Sequence, residues 1–203
     1  MRKYFGMLFG CFMLLSAAYV FGEGEVYVTK VKKLGPAKAS VVLNDCLEVR
    51  DIAITKVDGK TVITYPTYVS KKGKEYPQFE VLSEQARAEI EKAVTTVKPS
   101  VKSSKSLMFK VSKFSKMKNS TSSMKAFVSV DFNSAVRVEC KVMEGKKGPW
   151  VSWPSVKDEK TGQYLKQVLI INQNVKNVVE NSILRKYKDS GSESADEGTV
   201  SEE

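Results

Sequence analysis

Lysines dominate the residues able to do chemistry in this chain. Residues 95–125 hold eight lysines and no acid, among them Lys98, Lys102, Lys105, Lys110, Lys113, Lys116 and Lys118. An ammonium on a long stem engages phosphates, sulfates and carboxylates, so this stretch points to an anionic partner. The whole chain of 203 residues has 33 Lys+Arg against 23 Asp+Glu, a net charge of +10, while residues 189–203 carry only acids. Such a balance favours nucleic acid, lipid head groups or an anionic wall polymer without choosing among them. A solvated, merely soluble surface would have the same composition.

The other reactive residue types exclude more than they suggest. There is no histidine, which removes the usual general base and the commonest metal ligand. The three cysteines, Cys11, Cys46 and Cys140, form no CxxC pair, so no zinc site is expected. Cys46 and Cys140 lie in strand-like apolar runs, where one disulfide or two buried thiols fit equally. No GxSxG and no GxxxxGK[ST] occurs. A non-enzymatic protein without metal or cofactor is the expectation.

These residues must be positioned by something, and the sequence repeats itself. Asp51–Pro66 aligns with Glu139–Pro154 without a gap, ending in Tyr65-Pro66 and Trp153-Pro154. Gly73 matches Gly162, and SEQARAEIEKAV from Ser83 matches NQNVKNVVENSI from Asn172. Upstream, Ala39 is set against Ala126 and VYVTKV from Val26 against FKVSKF from Phe109. Val136, Val138, Cys140 and Val142 alternate with charged residues, the two-residue period of a strand with one buried face. TVITY and PWVSW read as short strands, followed by a Gly-containing loop. Ser83 and Asn172 are N-cap residues heading helices with apolar positions at Ala86, Ile90 and Val94, and at Val175, Val179 and Ile183. The fold class is therefore α+β: two tandem repeats, each a small antiparallel sheet followed by one C-terminal helix. A unit of this size is marginal alone, so the repeats are expected to pack as an intramolecular pseudo-dimer that supplies the missing core. The divisions read as residues 1–22, a leader; 25–95, repeat one; 96–106, a basic linker; 107–188, repeat two; and 189–203, a disordered acidic tail.

The N-terminus has Arg2 and Lys3, an uncharged apolar run over residues 4–21, then Glu23. This is the layout of a secretory signal peptide cleaved after Gly22. It predicts export to the periplasm or cell envelope. An uncleaved membrane anchor and a lipoprotein processed at Cys11 are the rival readings.

MKAFVSV from Met124, AVRVECKVMEG with its spacing to Trp153-Pro154-Ser155, and Gly162-Gln163-Tyr164 resemble the SpoVG family of bacterial septation and regulatory proteins. Repeat one shares Glu25-Val26-Tyr27-Val28-Thr29, Arg50-Asp51-Ile52 and Tyr65-Pro66. The resemblance departs at Glu80-Val81 and Leu169-Ile170, where the family usually has His-Pro, and in carrying the unit twice. It implies a dimer-forming, non-enzymatic protein that binds DNA and RNA and acts in sporulation and cell division. The candidate nucleic-acid contacts are Lys71, Lys72, Lys74 and Arg87 in repeat one. In repeat two they are Lys157, Lys160, Lys166, Lys176, Arg185, Lys186 and Lys188. Asn177, Asn181, Arg185 and Lys188 follow helical spacing and would share a face able to read base edges. Trp150 and Trp153 are candidate stacking platforms, one of them expected in the core. The second functional expectation is an exported protein that keeps this fold and binds a protein or an anionic envelope component.

Overall fold

The computed structural model describes residues 25–100, 107–117 and 121–192. The leader at 1–22, most of the linker with Lys102 and Lys105, Lys118, and the tail from 193 lie outside the described residues.

Two long hairpins form the frame. In the first half, β1 (Val28–Gly35), β2 (Lys38–Leu43) and β3 (Leu47–Val57) run antiparallel, and β4 (Lys60–Thr64) folds back on the end of β3. After β5 (Thr67–Val69), β6 (Glu75–Pro77) and β7 (Phe79–Val81) comes helix α1 (Glu84–Thr96). The second half follows the same order: β8 (Phe109–Lys116), β9 (Met124–Phe132), β10 (Val136–Gly145), β11 (Gly148–Ser152), β12 (Ser155–Lys157), β13 (Tyr164–Lys166), β14 (Val168–Ile170) and helix α2 (Gln173–Ser192).

The turns show why these strands pair as they do. Asn44 and Asp45 close β2–β3 with φ of 51° and 52°, and Asn133 and Ser134 close β9–β10 with φ of 51° and 53°. Two consecutive left-handed residues match the natural twist of a two-residue hairpin, and asparagine tolerates that conformation better than most. The asparagine side chains also work. Asn44 Oδ1 accepts from Tyr27 N–H at 2.8 Å and Asn133 Oδ1 from Met108 N–H at 2.8 Å. Both Nδ2 groups donate to the carbonyl of Glu25, at 3.2 and 3.0 Å, so one backbone oxygen ties the two halves together.

The long strands alternate as expected, with Val136, Val138, Cys140 and Val142 all buried. The halves do not form separate sheets. β7 of the first half pairs with β10, placing Phe79 opposite Val138, and β14 of the second half pairs with β3, placing Val168 opposite Val49. The buried apolar side chains accordingly make one cluster drawn from both halves, including Leu43, Val49, Phe79 and Ile90 with Phe132, Val138, Val168 and Ile183.

Four sequence readings change. Val28, opposite Leu43, holds the place that Phe109 holds opposite Phe132, so the match begins at Val28 rather than Val26. Ala39 lies opposite Ile52 and corresponds to Val128 opposite Cys140, not to Ala126, because β3 carries an extra residue at a bulge where Asp51 has φ of 56°. The Gly-containing loops are in fact hairpins, β5–β6 and β12–β13, each turning at a left-handed glycine, Gly73 (φ 77°) or Gly162 (φ 70°). Helix α2 continues past Lys188 to Ser192, so the acidic segment begins inside the helix.

Candidate nucleic-acid interface

The basic residues singled out from the sequence sit on two hairpins and two helices. Lys71, Lys72 and Lys74 cluster at the tip of hairpin β5–β6, all exposed. The tip is shaped by Ser70, whose N–H donates to Lys74 O at 2.8 Å while its Oγ accepts from Lys74 N–H at 3.1 Å. Lys157, Lys160 and Lys166 occupy the equivalent hairpin β12–β13 and are also exposed. Asp158 organises that tip: the N–H of Lys160 and the hydroxyl of Thr161 donate to its carboxylate and hold it below the usual aspartate value. The turn of each hairpin is thus defined by backbone and side-chain hydrogen bonds; Lys71, Lys72, Lys74 and Lys160 lie at the turns, while Lys157 is in β12 and Lys166 in β13.

The helices are anchored so that one face stays outside. Ser83 Oγ accepts from Ala86 N–H at 3.1 Å, and Asn172 Oδ1 accepts from the N–H groups of Asn174 and Val175 at 3.0 and 3.2 Å, as the capping pattern predicts. Val179 and Ile183 are fully buried, while Asn177, Asn181, Arg185 and Lys188 are all exposed. A shallow cleft of about 440 Å³ between β8 and α2 brings Arg185 and Lys186 together with Asp189 over Phe109 and Val111.

Some of the candidates are occupied within the protein. Arg87 donates to the carbonyl of Val81 at 3.3 Å and lies 3.6 Å from Glu84. Lys176 is 4.0 Å from Glu180, which also accepts from Trp153 Nε1–H at 2.7 Å. Lys186 lies 6.0 Å from the centre of the Phe114 ring. Trp153 is the core tryptophan at 6% exposure; Trp150 is 46% exposed and lies over Gly145. Tyr65, in the position matching Trp153, is half-buried, and burial followed by the nearby charge of Glu91 pushes its hydroxyl up to about 12.

Cys46 and Cys140 are free, buried thiols. Cys46 belongs to the β2–β3 turn rather than to a strand, and Cys140 to β10. Burial raises both thiols above their ordinary value, the opposite of what a nucleophile needs. Among the described residues no group of three or more Cys, Asp and Glu is placed to hold a metal ion, and no helix is long and apolar enough to cross a membrane.

Residues 108–189 match the SpoVG family model. The SpoVG-matching region therefore runs from the start of β8 almost to the end of α2 and includes hairpin β12–β13 with its three lysines. No curated protein matches the chain.

Sequence reasoning missed β7 and β14, which are only three residues each and have no readable period. It also missed the convergence of Asn44 and Asn133 on Glu25. Asparagine at a strand-to-strand turn was the available signal for the second.

Proposed function

We propose that this chain is a SpoVG-like, non-enzymatic regulatory and septation protein that binds nucleic acid, its two halves being tandem copies that act as an intramolecular pseudo-dimer. The observation that supports the reading most is the placement of Lys157, Lys160 and Lys166 on an exposed hairpin inside the SpoVG-matching region, with Arg185 and Lys188 exposed on the helix that follows. Lysines on an exposed hairpin and along a helix can track a phosphate backbone, and binding of this kind weakens steeply with salt. The reciprocal pairing of β7 with β10 and of β14 with β3 supports the pseudo-dimer. Titration of the purified chain against labelled duplex and single-stranded nucleic acid over a range of salt tests the reading. Binding that falls linearly on a log–log plot is expected, and absence of binding at low salt would sink it.

A second reading is favoured by Arg2 and Lys3 ahead of the apolar run at 4–21. In it the protein is exported and the same basic hairpins meet a protein or an anionic wall or membrane surface. Cell fractionation with the intact mass separates the two. A mass beginning near Glu23 in the envelope or medium supports export; a full-length cytoplasmic protein supports the regulator.

A further inference from the structure

The outward face of the sheet formed by β7, β8, β9 and β10 is covered at one end by hairpin β5–β6, and the space between them is a cleft of about 640 Å³. Three rings line it, Tyr68 and Tyr76 from the hairpin and Phe127 from β9. Tyr68, Tyr76 and Phe127 remain 49%, 43% and 44% exposed. The two tyrosine rings are 6.3 Å apart and inclined at 35°. Lys141 Nζ lies 5.3 Å from the centre of Tyr68 and Lys74 Nζ 5.1 Å from that of Tyr76, while Lys113 lines the cleft from β8. The floor is polar. Ser129 Oγ–H donates to Glu139 Oε1 at 2.7 Å, and the second carboxylate oxygen accepts no hydrogen bond from a described residue.

Rings in this position would be unremarkable if the hairpin needed them to close. The other half argues that it does not. Hairpin β12–β13 has the same pairing with Val156 opposite Leu165, where β5–β6 has Tyr68 opposite Tyr76. On the sheets, Phe127 opposite Lys141 corresponds to Lys38 opposite Ala53. The aromatic and lysine set therefore belongs to one of two otherwise equivalent places, which is the mark of a site rather than of a folding requirement.

We propose that this cleft is a stacking site for single-stranded nucleic acid. Unpaired bases lie on Tyr68, Tyr76 and Phe127, the flanking phosphates meet Lys74, Lys113 and Lys141, and Glu139 accepts from the exocyclic amino group of cytosine or adenine. Every base has a π-face, so aromatic platforms hold single strands with little sequence preference, whereas a duplex keeps its bases inside the stack. A carboxylate that still has an acceptor oxygen to spare adds a bias toward amino-bearing bases. A cleft of this volume is in the usual range for a bound small group. The proposal deepens the nucleic-acid reading above and rests on it.

Fluorescence anisotropy of labelled oligo(dC), oligo(dT) and a duplex with the full chain tests it. The double variant Tyr68→Ala/Tyr76→Ala is expected to lose about tenfold or more in affinity for oligo(dC), with its salt slope unchanged. Tyr68→Phe/Tyr76→Phe retains binding, because the rings remain. Val156→Ala/Leu165→Ala, the matched change on the other hairpin, also retains it. Glu139→Gln narrows the preference for oligo(dC) over oligo(dT). Unchanged affinity in the tyrosine-to-alanine variant, or equal losses in both hairpin variants, overturns the cleft while leaving nucleic-acid binding intact. No binding by the unmodified chain to any probe overturns both.

Discussion

Val138 of β10 is paired with Phe79 of β7, a residue from the other half of the chain. Phe79 is only 2% exposed, and its ring lies 5.4 Å from that of Tyr65. A three-residue strand with so few hydrogen bonds has little stability of its own. It stays because Phe79 fills the shared core and completes a neighbour's sheet. Removing the ring should therefore be felt in both halves. Phe79→Ala is expected to cost about 3–5 kcal/mol, the usual loss for a buried phenylalanine. Both tryptophans, Trp150 and Trp153, lie in the second half, so tryptophan fluorescence reports on the half that does not contain Phe79. In chemical denaturation the fluorescence and circular-dichroism midpoints should fall together. A fluorescence midpoint that stays at the wild-type value would mean that the halves unfold independently.

The turn asparagines allow a similar separation of causes. Asn133 is buried, has φ of 51°, accepts from Met108 N–H and donates to the Glu25 carbonyl. Asn133→Ala loses both hydrogen bonds and keeps a Cβ in left-handed backbone, a conformation costing about 1–2 kcal/mol that asparagine tolerates better than alanine. Asn133→Gly loses the bonds but not the conformation. With a further ~1 kcal/mol for each hydrogen bond, the alanine variant should be the less stable of the two, and both should fall below wild type. Equal midpoints for alanine and glycine in urea denaturation would show that backbone conformation is not part of the cost.

Much of this was legible in the sequence because it rests on period and capping. The alternation through Val136 to Val142, the cap residues Ser83 and Asn172, and the pairing of Gly73 with Gly162 each follow from a local physical requirement. What was not legible depends on distance. Glu80-Val81 and Leu169-Ile170, where the resemblance departs from the family, lie in β7 and β14, whose partners are remote in sequence. No local pattern names a partner so far along the chain. The bulge at Asp51 was hidden for a related reason: one extra residue shifts the pairing upstream while leaving the ungapped match downstream intact. At the candidate interface, residue type identified the lysines and arginines. Type alone did not separate Arg87, tied to Val81 and Glu84, from Lys71 and Lys72 at an open turn. Nor did it bring Tyr68 and Tyr76 against Phe127.

Two carboxylates on the outward face of the second sheet should respond to acid in opposite ways. Desolvation works against ionisation of Asp131, but hydrogen bonds from Arg137 and Ser112 outweigh it and hold the group below the ordinary value of 3.8. A lowered folded-state value contributes stability above the ordinary value and loses it as pH falls through the folded one. Glu139 is raised above 4.5, first by burial and despite the Ser129 hydrogen bond. Its ionised form therefore costs stability at neutral pH; the cost fades as pH falls through the raised folded-state value and is gone below the ordinary one. Asp131→Asn should be clearly less stable than wild type at neutral pH, with the gap closing in strong acid. Glu139→Gln should match or exceed wild type at neutral pH, its advantage shrinking as the medium turns acid. Thermal melts across that range check both, and a Glu139→Gln variant markedly less stable at neutral pH would contradict the sign.

Exposed lysines on the hairpins and cations committed to internal contacts should also separate in salt titrations. Each phosphate neutralised on duplex DNA contributes about 0.9 to the slope of log affinity against log salt, and about 0.7 on a single strand. Lys157, Lys160 and Lys166 are exposed on one hairpin, and Lys71 and Lys72 on the other. Replacing Lys157 and Lys160 by glutamine should lower the slope by roughly one to two and weaken binding to all sequences alike, because phosphate contacts carry no base information. Arg87→Gln should act differently. Its guanidinium already serves the Val81 carbonyl and lies beside Glu84, so the change should lower the melting temperature and leave the slope nearly unaltered. The two readouts are independent, one of association and one of folding. A slope that drops as far for Arg87→Gln as for the hairpin pair would move the phosphate path onto α1, and no change for the hairpin pair would remove β12–β13 from the interface.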